Sequence, residues 1–152
     1  QEAVTLRRSV AERSDSVPDH SLLGYSLTRA ADIAGALGAV DVGTEFAKEA
    51  VDLQRRVSRA DASARAAWRL LFAVKTALDY ALHHRDLEYA HELLATVAET
   101  KERYDVATLA PVAAFLRDIG EQHARVLELG GDAEGAARVR AGARTAGGGE
   151  LN

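Results

Sequence analysis

A ten-residue segment occurs twice in this chain at an offset of 47 residues. Residues 2–11 read Glu-Ala-Val-Thr-Leu-Arg-Arg-Ser-Val-Ala, and residues 49–58 read Glu-Ala-Val-Asp-Leu-Gln-Arg-Arg-Val-Ser. Six of the ten aligned positions are identical, and the apolar positions keep their spacing. Such an offset is typical of chains built from stacked copies of one structural unit. The first copy has no counterpart of the residues that precede Glu49, so we expect the chain to begin inside a unit.

Elsewhere, apolar residues recur at helical spacing, and no segment alternates in the manner of a β-strand. The chain is therefore predicted to be all-α. Its connectors are only a few residues long, which makes neighbouring helices run antiparallel as hairpins. Because a single hairpin cannot bury its own apolar stripe, the hairpins are expected to stack on one another.

The predicted organisation is a single domain over residues 1–146 with about seven helices. It begins with a leading helix from a truncated repeat over 1–14 and continues with three hairpins over 19–58, 61–105 and 109–146. A flexible tail is predicted over 147–152, because three consecutive glycines disfavour a fixed conformation.

The turns inside the hairpins are marked by glycine and by polar residues. They are predicted at Gly38, at His83–Asp86 and at Gly130–Asp132. The last helix is predicted to run from about Ala133 to Ala141. Pro111 is expected in the first turn of the third hairpin, where proline loses no helical hydrogen bond.

Charge and composition exclude several classes of function. The net charge of the 152-residue chain is −4 and is spread evenly, so it lacks the concentrated positive field that nucleic-acid binding requires. The absence of cysteine excludes disulfides, a thiol nucleophile and cysteine-based metal sites, and it favours a reducing, cytoplasmic environment. No apolar run approaches the roughly 20 residues of a membrane-spanning helix. Neither nucleic acid nor membrane is an expected partner.

The small residues of the hairpins follow a recognisable pattern. In the first complete hairpin they are Ala31, Gly38, Gly43 and Ala50, and in the last they are Ala124, Gly131, Ala136 and Ala143. This pattern resembles the tetratricopeptide repeat. The middle hairpin departs from it at Leu78, Arg85 and Val97, and the period of 46–47 residues exceeds the family's roughly 34. The long hairpins are similar to repeats at the C-terminal end of bacterial signalling ATPases and transcriptional regulators.

The resemblance implies a right-handed superhelix and a non-catalytic protein-binding or peptide-binding module of a larger regulatory or scaffold protein. In this family, the first helix of each hairpin lines a concave groove. The groove positions carried over to this chain are Tyr25, Thr28, Asp32, Gly35, Phe72, Lys75, Asp79, Leu82, Asp118, Glu121, Arg125 and Glu128.

Acidic residues outnumber basic ones at these positions, which predicts a partner segment of basic or mixed charge, or another domain of the same chain. The family's capture of a C-terminal carboxylate uses asparagine in the groove. It is not expected here, because the chain's single asparagine is Asn152.

Two other classes of function are alternatives for an all-α chain. A metalloprotein of helical-bundle type has one suggestive pair, Glu88 and His91, but the second pair that such a site needs is missing. No catalytic residue, metal or cofactor is therefore predicted. A self-associating scaffold is the stronger alternative, because an exposed apolar end of the first helix favours a homodimer. Trp68 is interpreted as an anchor between hairpins, and an exposed docking residue is the other possibility.

Overall fold

The computed structural model of this protein describes residues 2–14, 16–104, 109 and 112–147. Seven α-helices follow one another within these ranges, and no described residue lies in a β-strand. The all-α prediction is confirmed. The helices are α1 (Glu2–Glu12), α2 (Val17–Ala36), α3 (Val40–Ala60), α4 (Ala64–His84), α5 (Leu87–Arg103), α6 (Ala113–Leu129) and α7 (Ala133–Gly147).

Two helix boundaries differ from the sequence-based expectation. Helix α2 begins at Val17 and takes Pro18 into its first turn, where the hydroxyl of Ser16 accepts a hydrogen bond from the Asp19 amide at 3.3 Å. Helix α7 continues past Ala141 to Gly147. The first extension adds helix where local composition indicated a connector, and the second includes Gly147, the first residue of the predicted tail. The expectations for Pro111 and for the tail beyond Gly147 lie outside the described residues.

The three turns inside the helix pairs have the same conformation. Gly38, Arg85 and Gly131 all have positive φ angles, of 74°, 56° and 87°. After each of them, an amide donates to the carbonyl five residues back, closing the helix end in a Schellman motif. These bonds are Ala39 to Ala34 at 2.9 Å, Asp86 to Ala81 at 2.8 Å and Asp132 to Leu127 at 2.8 Å. The sequence repeat is thus also a repeat of backbone conformation.

Arg85 is the one non-glycine residue with a positive φ angle in the described ranges. A side chain in this region costs roughly 1 kcal/mol relative to glycine. We therefore expect Arg85→Gly to raise the free energy of unfolding by about 0.5–1 kcal/mol, measured by urea denaturation. Gly38→Ala is the matched control and should lower it by about 1 kcal/mol. A loss of stability in Arg85→Gly would contradict this interpretation of the turn.

The helices pack in two layers. Within the pairs, α2 packs on α3, α4 on α5 and α6 on α7, while α2, α4 and α6 also pack on one another in that order. The hydrophobic core is continuous and is densest along α4, which lies between α2 and α6. Its largest fully buried aliphatic side chains are Leu27, Val51, Leu71, Val74, Leu78, Leu93, Val112 and Val126.

The second layer contains α1, α3 and α5, and the side-chain contacts between its helices recur at the offset of the sequence repeat. Arg8 on α1 donates to Glu49 on α3 at 2.5 Å, and Arg55 on α3 donates to Thr96 on α5 at 2.6 Å. Arg8 and Arg55 are aligned by the offset of 47, as are Glu49 and Thr96. Corresponding residues therefore join α1 to α3 and α3 to α5.

Candidate functional site

Four aromatic side chains lie side by side across α2, α4 and α6. They are Tyr25, Trp68, Phe72 and Phe115, which we call the aromatic row. The ring centroids are 5.7 Å apart for Tyr25 and Trp68, and 5.6 Å apart both for Trp68 and Phe72 and for Phe72 and Phe115. All four side chains are half-buried. The row therefore combines rigid packing between helices with apolar surface that remains accessible.

The repeat explains why these rings meet. Tyr25 and Phe72 occupy corresponding positions on α2 and α4, at the offset of 47. Trp68 on α4 and Phe115 on α6 are also 47 residues apart, one more than the separation of Arg85 and Gly131 in the turns that follow these helices. Trp68 and Phe72 are one helical turn apart and so share a face of α4. Trp68 contacts rings on both neighbouring helices, as expected for an anchor between hairpins.

A cluster of arginines borders the Tyr25 end of the aromatic row. The guanidinium of Arg69 lies 5.6 Å from the centre of the Tyr25 ring and donates to the Ser21 hydroxyl at 2.5 Å. Partial burial, and then the positive charges of Arg65 and Arg7, lower the pKa of Arg69. No described carboxylate forms an ion pair with any of these three arginines. This corner of the surface is therefore electropositive.

Two of the predicted acidic groove residues are held by neighbouring side chains. Asp32 accepts a hydrogen bond from the Thr76 hydroxyl at 3.1 Å, and Asp79 accepts one from the Gln122 amide at 2.7 Å. Lys75 lies 3.5 Å from Asp79. Asp32 and Asp79 are aligned by the repeat, so each joins its helix to the next helix of the layer. Part of their hydrogen-bonding capacity is consequently used inside the chain.

Gln122 is not among the residues predicted from the sequence, yet its side chain connects α6 to α4 by hydrogen bonds. Its side chain is buried, and besides Asp79 it donates to the Lys75 carbonyl at 3.0 Å. Its own carbonyl oxygen is buried without a partner among the described residues. A single buried glutamine thus fixes the spacing of the two helices beside the polar part of the site.

Two of the three acidic residues predicted on α6, Glu121 and Glu128, are compensated across the last hairpin. Arg140 on α7 contacts Glu128 and donates to Glu121 at 3.1 Å. The hydrogen bond from Arg140 lowers the pKa of Glu128 and raises that of Arg140. Asp118 and Arg125 are exposed on the same helix. The net acidic character inferred from the sequence is therefore smaller in the folded chain.

Two residues that the family pattern placed in the groove, Thr28 and Leu82, are buried and do not lie on an open surface. Thr28 is buried, and its hydroxyl donates to the Gly24 carbonyl at 3.0 Å, which satisfies its polar group inside the core. Leu82 is likewise buried at the end of α4. Neither side chain is accessible to a partner in this conformation. Gly35 is exposed, close to the Tyr80 hydroxyl.

The pair Glu88 and His91, a candidate for part of a metal site, lies on the surface of α5. The described residues contain no group of three His, Asp or Glu side chains placed to hold a metal ion. His123 on α6 is half-buried, and its pKa is lowered first by burial and then by His91 and Lys101.

Comparison with protein-family models, curated proteins and solved structures finds no match to this chain. Within the described residues, no helix has the combination of length and apolar character that crossing a membrane requires.

Two cavities lie away from the aromatic row. One of about 660 Å³ is bordered by α3 and α5, where Arg55 already donates to Glu92 at 2.7 Å and Arg103 donates to the Ser58 carbonyl at 2.9 Å. The other, of about 380 Å³, contains Lys48 over the Tyr89 ring, and burial raises the pKa of Tyr89 to about 12. In both cavities, charged side chains interact with neighbours in the chain.

Proposed function

We propose that this chain is a non-catalytic interaction module that binds a protein or peptide segment on the face formed by α2, α4 and α6. The observation that carries the proposal is the aromatic row. Aromatic side chains contribute most of the energy of many protein interfaces, because they bury a large area at a low cost in conformational entropy. A row that runs across three helices offers this area along a line, which suits an elongated partner segment.

We further propose that the module is a right-handed superhelix of tetratricopeptide-like hairpins. It is supported by the three equivalent turns and by side-chain contacts that recur at the repeat offset. In this proposal, the module is the regulatory or scaffold part of a larger, cytoplasmic bacterial signalling or regulatory protein. The second layer, α1, α3 and α5, acts as the support that holds the binding face in shape.

The charges around the row favour a partner of mixed charge. A carboxylate of the partner pairs with Arg69 at the Tyr25 end, and a basic residue lies near Asp32 and Asp79 at the other side of the row. Opposite charges at two places fix the direction in which a segment binds. Large apolar side chains between those charges cover the row itself.

Selection of binding peptides from a random displayed library tests the proposal. Trp68 is the only tryptophan, so its fluorescence should change when a selected peptide covers the row. We expect Phe72→Ala to lower the affinity for such a peptide at least ten-fold, which corresponds to about 1.4 kcal/mol of binding free energy. Phe46→Ala is the matched control, because Phe46 is a half-buried phenylalanine on α3, in the other layer. It should change the affinity less than two-fold.

Circular dichroism of each variant establishes that it is folded before its affinity is compared. Equal affinities of the parent chain and Phe72→Ala for the peptide would show that the aromatic row does not contribute to binding. Failure to select any peptide that alters Trp68 fluorescence would count against the function itself.

A further inference from the structure

Several large apolar side chains are exposed at the edge formed by α1 and α2. The exposed fractions are 66% for Leu6, 41% for Val10 and 57% for Ile33. The residues aligned with them by the offset of 47 are Leu53, Val57 and Tyr80, whose exposed fractions are only 6%, 2% and 8%. The same positions of the repeat are therefore open in one copy and covered in the next.

The covered copy shows what kind of structure covers these positions. Helix α3, which carries Leu53 and Val57, packs extensively on α2. Gln54 beside them donates to the Ser21 carbonyl of α2 at 2.9 Å. Tyr80 on α4 donates to the Ala31 carbonyl of α2 at 2.6 Å. Thus α2 contacts both the helix that follows it and the next helix of its own layer.

Helix α1 corresponds to α3 in the repeat, and α2 corresponds to α4. Helix α1 packs on α2, but the described residues place no helix on its other side in the way that α2 lies against α3. We infer that the edge carrying Leu6, Val10 and Ile33, which we call the open edge, is the docking surface for one amphipathic α-helix. That helix packs on α1 as α2 packs on α3.

The repeat also defines the chemistry of the docking helix. Its buried stripe needs leucine and alanine in the pattern of Leu23, Leu27 and Ala31, which are buried on α2. On α2, Gly24 faces Gln54 of α3, and the residue of α1 aligned with Gln54 is Arg7, so the docking helix meets a longer, charged side chain at this position. The inference does not depend on the aromatic row, so it can fail or succeed separately from the proposed function.

A chain with one duplicated segment tests this inference. Residues 16–48 are copied and joined directly to Glu2, which then follows Lys48 as Glu49 does in the parent chain. The added helix thereby reaches the open edge in the register of the repeat. Because docking buries Leu6, Val10 and Ile33, we expect the midpoint of thermal unfolding to rise by at least about 5 °C.

The substitution Leu6→Ala distinguishes an added helix that docks on the open edge from one that forms without docking there. It should lower the midpoint by at least about 5 °C in the extended chain and by less than about 2 °C in the parent chain. Leu129→Ala is the matched control, since Leu129 is 45% exposed and lies on α6, away from the open edge. It should have the same small effect in both chains.

Two results would overturn the inference. The first is an equal, small effect of Leu6→Ala in both chains, which would mean that the added helix does not cover the open edge. The second comes from sedimentation of the parent chain. A dimer that Leu6→Glu dissociates and Leu129→Glu leaves intact would assign the open edge to a second copy of the chain.

Discussion

Leu78→Ala is expected to lower the free energy of unfolding by about 3–4 kcal/mol, the largest effect that we predict for a single substitution. Leu78 is fully buried on α4, the helix between α2 and α6. Its truncation loses the transfer free energy of the removed methyl groups and leaves a cavity that the surrounding helices fill only in part. Most domains are stable by only about 5–15 kcal/mol, so the variant loses a large share of its stability.

The cost of this substitution also distinguishes the packing seen in the structure from the packing that the tetratricopeptide pattern implies. The tetratricopeptide resemblance has a small residue at the position of Leu78, which predicts that alanine is tolerated there. The buried leucine predicts a cavity instead. Urea denaturation followed by circular dichroism measures the difference, with Leu129→Ala as an exposed control expected to cost less than about 1 kcal/mol. A cost for Leu78→Ala similar to that of the control would show that the helices close around the smaller side chain.

The helices and turns could be predicted because their signals are local. Apolar periodicity defines the helices, and Gly38 and Gly131 mark positions where the backbone needs a positive φ angle. Arg85 carries no such signal, because a left-handed arginine cannot be recognised from its residue type. Only its alignment with the two glycines, at offsets of 47 and 46, indicates the conformation that it adopts. The repeat was therefore more informative than composition at this turn.

The candidate site was predicted in part. Tyr25 and Phe72 were selected from the family pattern, and they do lie in one row. Phe115 was not selected, although it lies 47 residues after Trp68, the same separation as between Tyr25 and Phe72. The recurrence of aromatic residues at a separation of 47 is therefore the sequence signal that indicates the whole row.

The failures have a common physical cause. Transfer of groove positions assumes that the same face of each helix is open as in the family, whereas Thr28 and Leu82 are buried in this chain. The compensation of Glu121 and Glu128 by Arg140 depends on contacts across the last hairpin. Such contacts are set by packing between helices, which a single sequence does not specify.

Gly43→Ala is expected to destabilise the chain by about 2–3 kcal/mol, although glycine to alanine within a helix ordinarily gains about 1 kcal/mol. Gly43 is buried on α3, and a Cβ there would overlap the hydroxyl and ring of Tyr80. Tyr80 cannot move away freely, because its hydroxyl donates to the Ala31 carbonyl at 2.6 Å. Overpacking costs about 1–3 kcal/mol, and breaking this buried hydrogen bond adds about 1–3 kcal/mol, so the loss exceeds the gain in helix propensity.

Gly142→Ala on α7 is the matched control, since a Cβ there would meet nothing within 4 Å. It should leave the free energy of unfolding unchanged or raise it by up to about 1 kcal/mol. Truncating the neighbour, in Tyr80→Ala, should make a subsequent Gly43→Ala far less costly, because the overlapping atoms are gone; a double-mutant cycle in urea measures this coupling. If Gly43→Ala instead stabilised the chain as Gly142→Ala does, the close approach of α3 to Tyr80 would not determine how these two hairpins pack.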